Sequence, residues 1–157
     1  MINAAKKYVY ITTPYLICDS ALMSALRMAA KKGVDVRIIM PGIPDKKLVF
    51  LMSRSNYEPL IRDGVKIYEY TPGFIHAKNF VCDDMFAVCG TINLDYRSLV
   101  HHFECGVWLY NMDAVQDIKA DFIDTMEKSE LISEEKAKLT GFQRLVRNIL
   151  KIFFPLL

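Results

Sequence analysis

The chain has 157 residues, of which 52% are hydrophobic and 24% are charged. A chain of this length is expected to form about one domain, with a core large enough to fold without disulfides or a structural metal. The composition excludes disordered, collagen-like and coiled-coil proteins. The net charge of +2 excludes a bulk polycation, although it does not exclude a local basic patch. No apolar run reaches about 18 residues and the first residues do not resemble a secretory signal, so neither a transmembrane helix nor a signal peptide is predicted.

The first half of the chain alternates predicted strands and helices. The strands are residues 8–13, 34–40 and 65–70, and the helices are residues 19–32 and 46–63. The strands are rich in β-branched and aromatic residues, and Gly33 stops the first helix. Pro59 must kink or split the second helix, because proline lacks the N–H and clashes with the preceding turn. This order predicts parallel strands connected by helices.

The second half follows a different pattern. Two short strands, residues 77–82 and 85–89, flank Asp83-Asp84 and predict a hairpin, and a longer strand follows over residues 102–110. A helix is predicted over residues 113–128, and a basic amphipathic C-terminal helix begins near residue 133 and occupies the segment of about 134–157. We therefore expect one α/β domain over residues 1–157, with a mixed β-sheet flanked by helices on both faces.

The four cysteines show neither a Cys-x-x-Cys pair nor zinc-ligand spacing. Cys82, Cys89 and Cys105 lie in apolar, strand-like runs, so the sequence predicts small buried side chains in a reducing compartment. No metal site is predicted.

One cluster of residues suits phosphate chemistry. His76 and Lys78 are two residues apart at the start of a predicted strand, which places them on the same face. The cation of Lys78 favours a neutral imidazole, which can act as a nucleophile while Lys78 holds an anion. The hairpin can return Gly90, Thr91 and Asn93 beside His76, where glycine permits close approach and the other two add neutral donors. This set suits a phosphodiester, although a lone His-x-Lys is more often a satisfied core histidine.

The full spacing, His-x-Lys-x4-Asp-x6-Gly-Thr-x-Asn, resembles the HKD motif of the phospholipase D superfamily. His76, Lys78 and Asp83 match the three residues that give the motif its name. Gly90 and Asn93 match the end of the motif, and Thr91 replaces the more usual serine and keeps the hydroxyl.

The flanking sequence resembles the C-terminal half of bacterial cardiolipin synthases over nearly the whole chain. The matching segments are residues 12–16, 32–37, 41–45, 64–70, 95–98, 103–104 and 154–157. The resemblance implies a phospholipase D-like α/β/α sandwich that forms the C-terminal half of a longer enzyme.

The resemblance also implies a reaction. A phosphatidyl group from phosphatidylglycerol would form a phosphohistidine, with His76 as the nucleophile or as the general acid, and a second phosphatidylglycerol would accept it to give cardiolipin. Family members use two HKD motifs face to face, whereas this sequence has one, so a missing half or a homodimer partner must supply the second. No cofactor and no nucleic acid are expected. The implied partners are the phospholipid and the membrane surface, at the cytoplasmic face of a bacterial membrane.

The resemblance assigns catalytic roles to His76, Lys78, Asp83 and Glu104. Lys78, Gly90, Thr91 and Asn93 would bind the substrate phosphate. Glu104 would orient the ring of His76 through its other nitrogen, as a buried acceptor fixes an imidazole tautomer. Asp83 occupies a hairpin turn, where aspartate is common, so its role is expected to be mainly structural. His101 and His102 are assigned no chemistry, and Asp95 and Arg97 are expected to tie the loop after Asn93.

The sequence does not decide which surface the C-terminal helix contacts. From Lys136 to Leu157 there are five cations and no anions. Apolar residues recur at helical spacing at positions 142, 145, 146, 149 and 153, which predicts an apolar face. That face would dock on an anionic membrane or pack on this domain or on a missing half. Two other functions stay open: a homodimeric single-motif nuclease, and an inactive half-site that binds a membrane or a partner.

Overall fold

The computed structural model describes residues 1–150 and 152. The strands are β1 (Tyr8–Thr12), β2 (Leu16–Ile17), β3 (Asp35–Pro41), β4 (Lys66–Tyr70), β5 (Asn79–Cys82), β6 (Phe86–Gly90), β7 (Leu94–Asp95), β8 (Gly106–Tyr110) and β9 (Ser129–Leu131). The α-helices are α1 (Ser20–Lys31), α2 (Lys47–Arg54), α3 (Tyr57–Arg62), α4 (Asp113–Glu127), α5 (Glu134–Ala137) and α6 (Gly141–Leu150). A 3-10 turn covers Ile2–Ala4 and a π-helical turn covers Arg97–His101. The expectations for Lys151, Phe153 and residues 154–157 lie outside the described residues.

Seven strands form one mixed sheet in the order β8-β6-β5-β1-β3-β4-β9. The neighbours β1, β3 and β4 are parallel, as the alternating strands and helices predicted. Strands β5, β6, β8 and β9 pair antiparallel, and β5 and β6 form the predicted hairpin. A separate parallel pair joins β2 to β7.

Helices cover both faces of the sheet, as the burial of β1 on both sides shows. Val9 and Ile11 belong to one core cluster, which includes Leu26 of α1 and residues of α3. Tyr8 and Tyr10 point the other way, into a second cluster with residues of α4. This alternation along one strand is the expected period of two. The predicted α/β class with a mixed sheet between two helical layers is confirmed.

Several boundaries differ from the prediction. The helix predicted over residues 46–63 divides at Ser55 and Asn56, before Pro59, into α2 and α3. Pro59 lies in the first turn of α3, where the missing N–H has no intrahelical partner to lose. The C-terminal helix is likewise two helices, α5 and α6. The strand predicted from residue 102 begins at Gly106, and a π-helical turn over residues 97–101 precedes it.

The prediction of buried cysteines is confirmed for Cys82 and wrong for Cys89 and Cys105. Cys18 and Cys82 are buried, whereas Cys89 and Cys105 are exposed. Cys89 pairs with Val107 of the edge strand β8, and Cys105 directly precedes that strand. Both cysteines therefore lie at the edge of the sheet. Val107 and Trp108 are also exposed on β8. Within the described part of the chain, no helix is both long and apolar enough to cross a membrane.

Candidate active site

His76 and Lys78 lie together just before β5. The Lys78 ammonium is 2.8 Å from Nδ1 of His76 and donates to the His76 carbonyl oxygen at 2.6 Å. The two side chains therefore share one side of the chain, as their spacing predicted. Lys78 is only 7% exposed, and this burial lowers the pKa of its ammonium, while the charges of Glu104 and Asp95 oppose the shift.

The surroundings of His76 favour a neutral ring. Burial lowers the pKa of His76, the adjacent Lys78 lowers it further, and the Asp45 carboxylate partly opposes both. The ring lies 5.5 Å from the centroid of Phe74 and 6.4 Å from that of Tyr15. An ammonium has no acceptor, so Nδ1 accepts from Lys78 and the neutral ring carries its proton on Nε2.

The β5–β6 hairpin brings the second half of the motif back to Lys78. Asn79 pairs with Cys89, and the Gly90 amide donates to the Lys78 carbonyl at 3.3 Å. The structure shows a close approach of Gly90 to the segment beside it, and its predicted role at the substrate phosphate stays a prediction. A Cβ at this position would collide with the carbonyl oxygen of Cys105 and with Cα of Gly106.

Glu104 meets Thr91 across the β6–β8 pair. The Thr91 hydroxyl donates to the Glu104 carboxylate and accepts from the Cys105 amide at 3.0 Å. Hydrogen bonds from Thr91 and Ser98 lower the pKa of Glu104, against a smaller opposing effect of burial. In the structure Thr91 donates to the Glu104 carboxylate and Lys78 lies at Nδ1 of His76, and no hydrogen bond joins Glu104 to the His76 ring.

The loop after Asn93 is tied by its own side chains. The Asn93 amide donates to the Ser98 hydroxyl at 3.1 Å, and the Ser98 amide donates to Asp95 at 2.6 Å. Arg97 donates to Nε2 of His102 at 2.8 Å. The prediction that Asp95 and Arg97 tie this loop is confirmed. The buried side-chain oxygen of Asn93 has no hydrogen-bond partner among the described residues.

A cavity of about 340 Å³ opens beside this loop, lined by Asn93, Ser98 and Tyr15 among others. Tyr15 and Ser98 were not predicted as site residues. The Tyr15 hydroxyl donates to Asp45 at 2.5 Å, and these two residues follow β1 and β3. Ligands of α/β sheets bind beyond the carboxyl ends of parallel strands, and that rule was the available signal for Tyr15.

Asp83 lies at the opposite end of β5 from His76 and Lys78. Its carboxylate accepts the backbone amides of Lys6, Lys7 and Tyr8 at 2.7, 2.8 and 2.8 Å. Burial alone would raise the pKa of Asp83, but these three bonds outweigh it and lower the pKa. The structure therefore does not bring Asp83 to the other motif residues, and it gives this carboxylate the structural role that its turn position predicted.

The fold is that of the phospholipase D family. The structure superposes on a phospholipase D family member, Nuc from Salmonella typhimurium, with a TM-score of 0.73 over 83% of this chain and 85% of that one, at 20% identity. A model of the family described as "Cardiolipin synthase, PLD-like domain" matches residues 1–126. The chain belongs to this family.

Curated relatives match the whole chain. An uncharacterized protein of Streptococcus mutans is 52% identical, and cardiolipin synthase 2 of Bacillus cereus is 42% identical. The chain covers 34% and 31% of these proteins, respectively. It thus spans about a third of the length of the curated relatives it matches.

Proposed function

We propose that this chain is one catalytic half of a phosphatidyltransferase that makes cardiolipin from two molecules of phosphatidylglycerol. His76 would attack phosphorus of the first molecule, forming a phosphorus–nitrogen bond and releasing glycerol after proton transfer to its oxygen. A hydroxyl of the second phosphatidylglycerol would then displace the histidine and give cardiolipin. The family of the chain and the name of the Bacillus cereus relative support this activity.

The contact between Lys78 and His76 is the observation on which the proposal rests. Burial lowers the pKa of His76 and the cation 2.8 Å from Nδ1 lowers it further, and both favour the neutral imidazole that a nucleophile requires. The same buried ammonium can stabilise the charge that develops on phosphoryl oxygens.

The contact also indicates the order of events. With Nδ1 accepting from Lys78, Nε2 carries the proton and is ready to donate to a phosphate oxygen, not to attack phosphorus. A bound phosphate would attract the ammonium of Lys78 away from the ring. Nδ1 would then be free to take the proton, and Nε2 would become the nucleophile.

A second HKD motif is part of the proposal. His76, His101 and His102 are the three histidines of the chain, and only His76 has lysine two residues later. The leaving glycerol needs an acid and the incoming hydroxyl needs a base. The remaining two thirds of a relative's length, or a second copy of the chain, would supply that group.

We also propose that the enzyme works at the cytoplasmic face of the bacterial membrane, where its lipid substrate lies. The exposed apolar side chains of α6, together with Arg144 and Arg147, suit an anionic interface.

A chimera tests the function. The chain would replace the matching third of Bacillus cereus cardiolipin synthase 2, and conversion of labelled phosphatidylglycerol would be followed in mixed micelles. We expect cardiolipin and glycerol from the chimera, and loss of both products on changing His76 to Ala.

A matched control is His101→Ala, which removes an exposed imidazole outside the motif and outside the cavity beside Asn93. We expect it to retain most of the turnover. Turnover that survives His76→Ala, or a chimera that is folded but inactive beside an active parent enzyme, would contradict the proposal.

A further inference from the structure

A second cavity lies between α2 and α6, apart from the His76 site. Its volume is about 520 Å³, within the range of small-molecule sites. The walls are largely apolar and include Leu51 and Phe50 from α2, and Phe142 and Val146 from α6. We call this cavity the α2–α6 groove.

Four cations line the α2–α6 groove and no carboxylate does. Arg54 lies 3.6 Å from Glu69, and Lys136 pairs with Glu130. Among the described residues, Lys47 and Lys138 have no such carboxylate partner. An apolar groove with two unpaired ammonium groups at its rim suits an anionic amphiphile. The apolar part of such a ligand would contact the walls, and its anionic group would contact the ammonium groups.

The outer face of α6 is consistent with lipid at the same place. Leu145 and Ile149 do not line the groove and are 58% and 53% exposed, so the helix presents apolar side chains beyond those that face α2. Exposed apolar side chains on a basic helix are typical of helices that lie in a membrane interface. A lipid could therefore enter the α2–α6 groove from the side without leaving the interface.

The two turns of α2 separate the α2–α6 groove from the candidate active site. Lys46 and Val49 line the cavity beside the Asn93 loop, whereas Lys47, Phe50 and Leu51 line the groove. The two cavities are thus about one helix diameter apart, roughly 10 Å.

We propose that the α2–α6 groove binds one anionic phospholipid, with acyl carbons against Leu51 and Val146 and the phosphate near Lys47 and Lys138. This site does not depend on the chemistry of His76. A lipid held here would anchor the domain at the membrane beside its reaction site.

The test uses dihexanoyl-phosphatidylglycerol below its micelle concentration, followed by the amide resonances of the isotopically labelled chain. Dihexanoyl-phosphatidylcholine and inorganic phosphate are the comparison ligands. We expect saturable shifts in α2 and α6 with phosphatidylglycerol, and at least about tenfold weaker binding of the other two. Equal binding of phosphatidylcholine would refute the charge argument, and equal binding of phosphate would show an anion site without a lipid.

Two variants locate the ligand. Val146→Trp fills the α2–α6 groove without changing charge, and Lys47→Gln with Lys138→Gln removes the two rim cations. Each should weaken phosphatidylglycerol binding about tenfold or more. The control, Lys32→Gln with Lys128→Gln, removes two exposed cations elsewhere and should leave binding unchanged.

Wild-type affinity in both groove variants would overturn the proposal. Shifts that depend on protein concentration and not on lipid would also overturn it, because they would indicate a second copy in the groove. The rim variants change only exposed side chains, so the test stands even where Val146→Trp does not fold. Retained His76-dependent turnover alongside lost groove binding would separate this site from the catalytic one.

Discussion

Replacing Asp83 should destabilise the domain without touching the residues around His76. Its carboxylate joins the hairpin turn to the start of β1 through the amides of Lys6, Lys7 and Tyr8. The bonds are partly exposed to water, so we assign each about 0.5–1 kcal/mol of the free energy of unfolding. Asp83 also has a φ of +53°, which costs a residue such as alanine about 1 kcal/mol or more.

The hydrogen bonds and the backbone strain predict different losses of stability for Asp83→Ala and Asp83→Asn. Asp83→Ala loses all three bonds and adds backbone strain, so the free energy of unfolding should fall by about 3 kcal/mol, or roughly 6–12 °C in Tm. Asp83→Asn tolerates the left-handed backbone and keeps one acceptor oxygen, so its loss should be about 1 kcal/mol. Urea denaturation followed by circular dichroism measures both values.

The dependence on pH provides the sharper test. The pKa of Asp83 is lowered in the folded protein, so its ionised form contributes stability above the unfolded pKa of about 3.9. That contribution is lost as the pH falls through the lower folded pKa. The difference between wild type and Asp83→Asn should therefore shrink on acidification from about pH 5 downward. An Asp83→Ala variant within about 0.5 kcal/mol of wild type would refute the reasoning, as would a difference that is constant with pH.

Two further predictions concern the motif itself. Gly90→Ala forces a Cβ into the carbonyl oxygen of Cys105 and should cost about 2 kcal/mol or more in urea denaturation, whereas Gly73→Ala, with nothing within 4 Å, should be nearly neutral. Lys78→Met removes the cation from Nδ1 and should raise the pKa of His76, as measured from its ring resonances. An unchanged His76 titration would show that the cation does not control the ring.

The parallel half of the sheet could be predicted because its strands are runs rich in β-branched and aromatic residues that alternate with helical segments. The hairpin and its return to Lys78 could be predicted because two short strand-like runs flank Asp83-Asp84. Strands β2, β7 and β9 are only two or three residues long, which is too short for any periodicity to show. Their pairing depends on neighbours that are distant in sequence.

The motif residues could be predicted as a set, but not their individual partners. The spacing of His76 and Lys78 indicated a shared side, and the structure adds a direct contact. Glu104 and Thr91 meet because β6 and β8 pair in one register, with Gly90 opposite Gly106. A register between distant strands is not encoded in any local window of sequence.

The exposed edge strand β8 makes the self-association of the chain depend on its concentration. A strand edge offers free backbone donors and acceptors to any other strand that approaches it. Residues 106–110 contain no lysine or proline to discourage such pairing, and Trp108 and Tyr110 are more than half exposed. Two copies aligned along β8 would continue one sheet into the next and cover those rings. Dilution should therefore suppress aggregation, and Val107→Lys should suppress aggregation at any concentration.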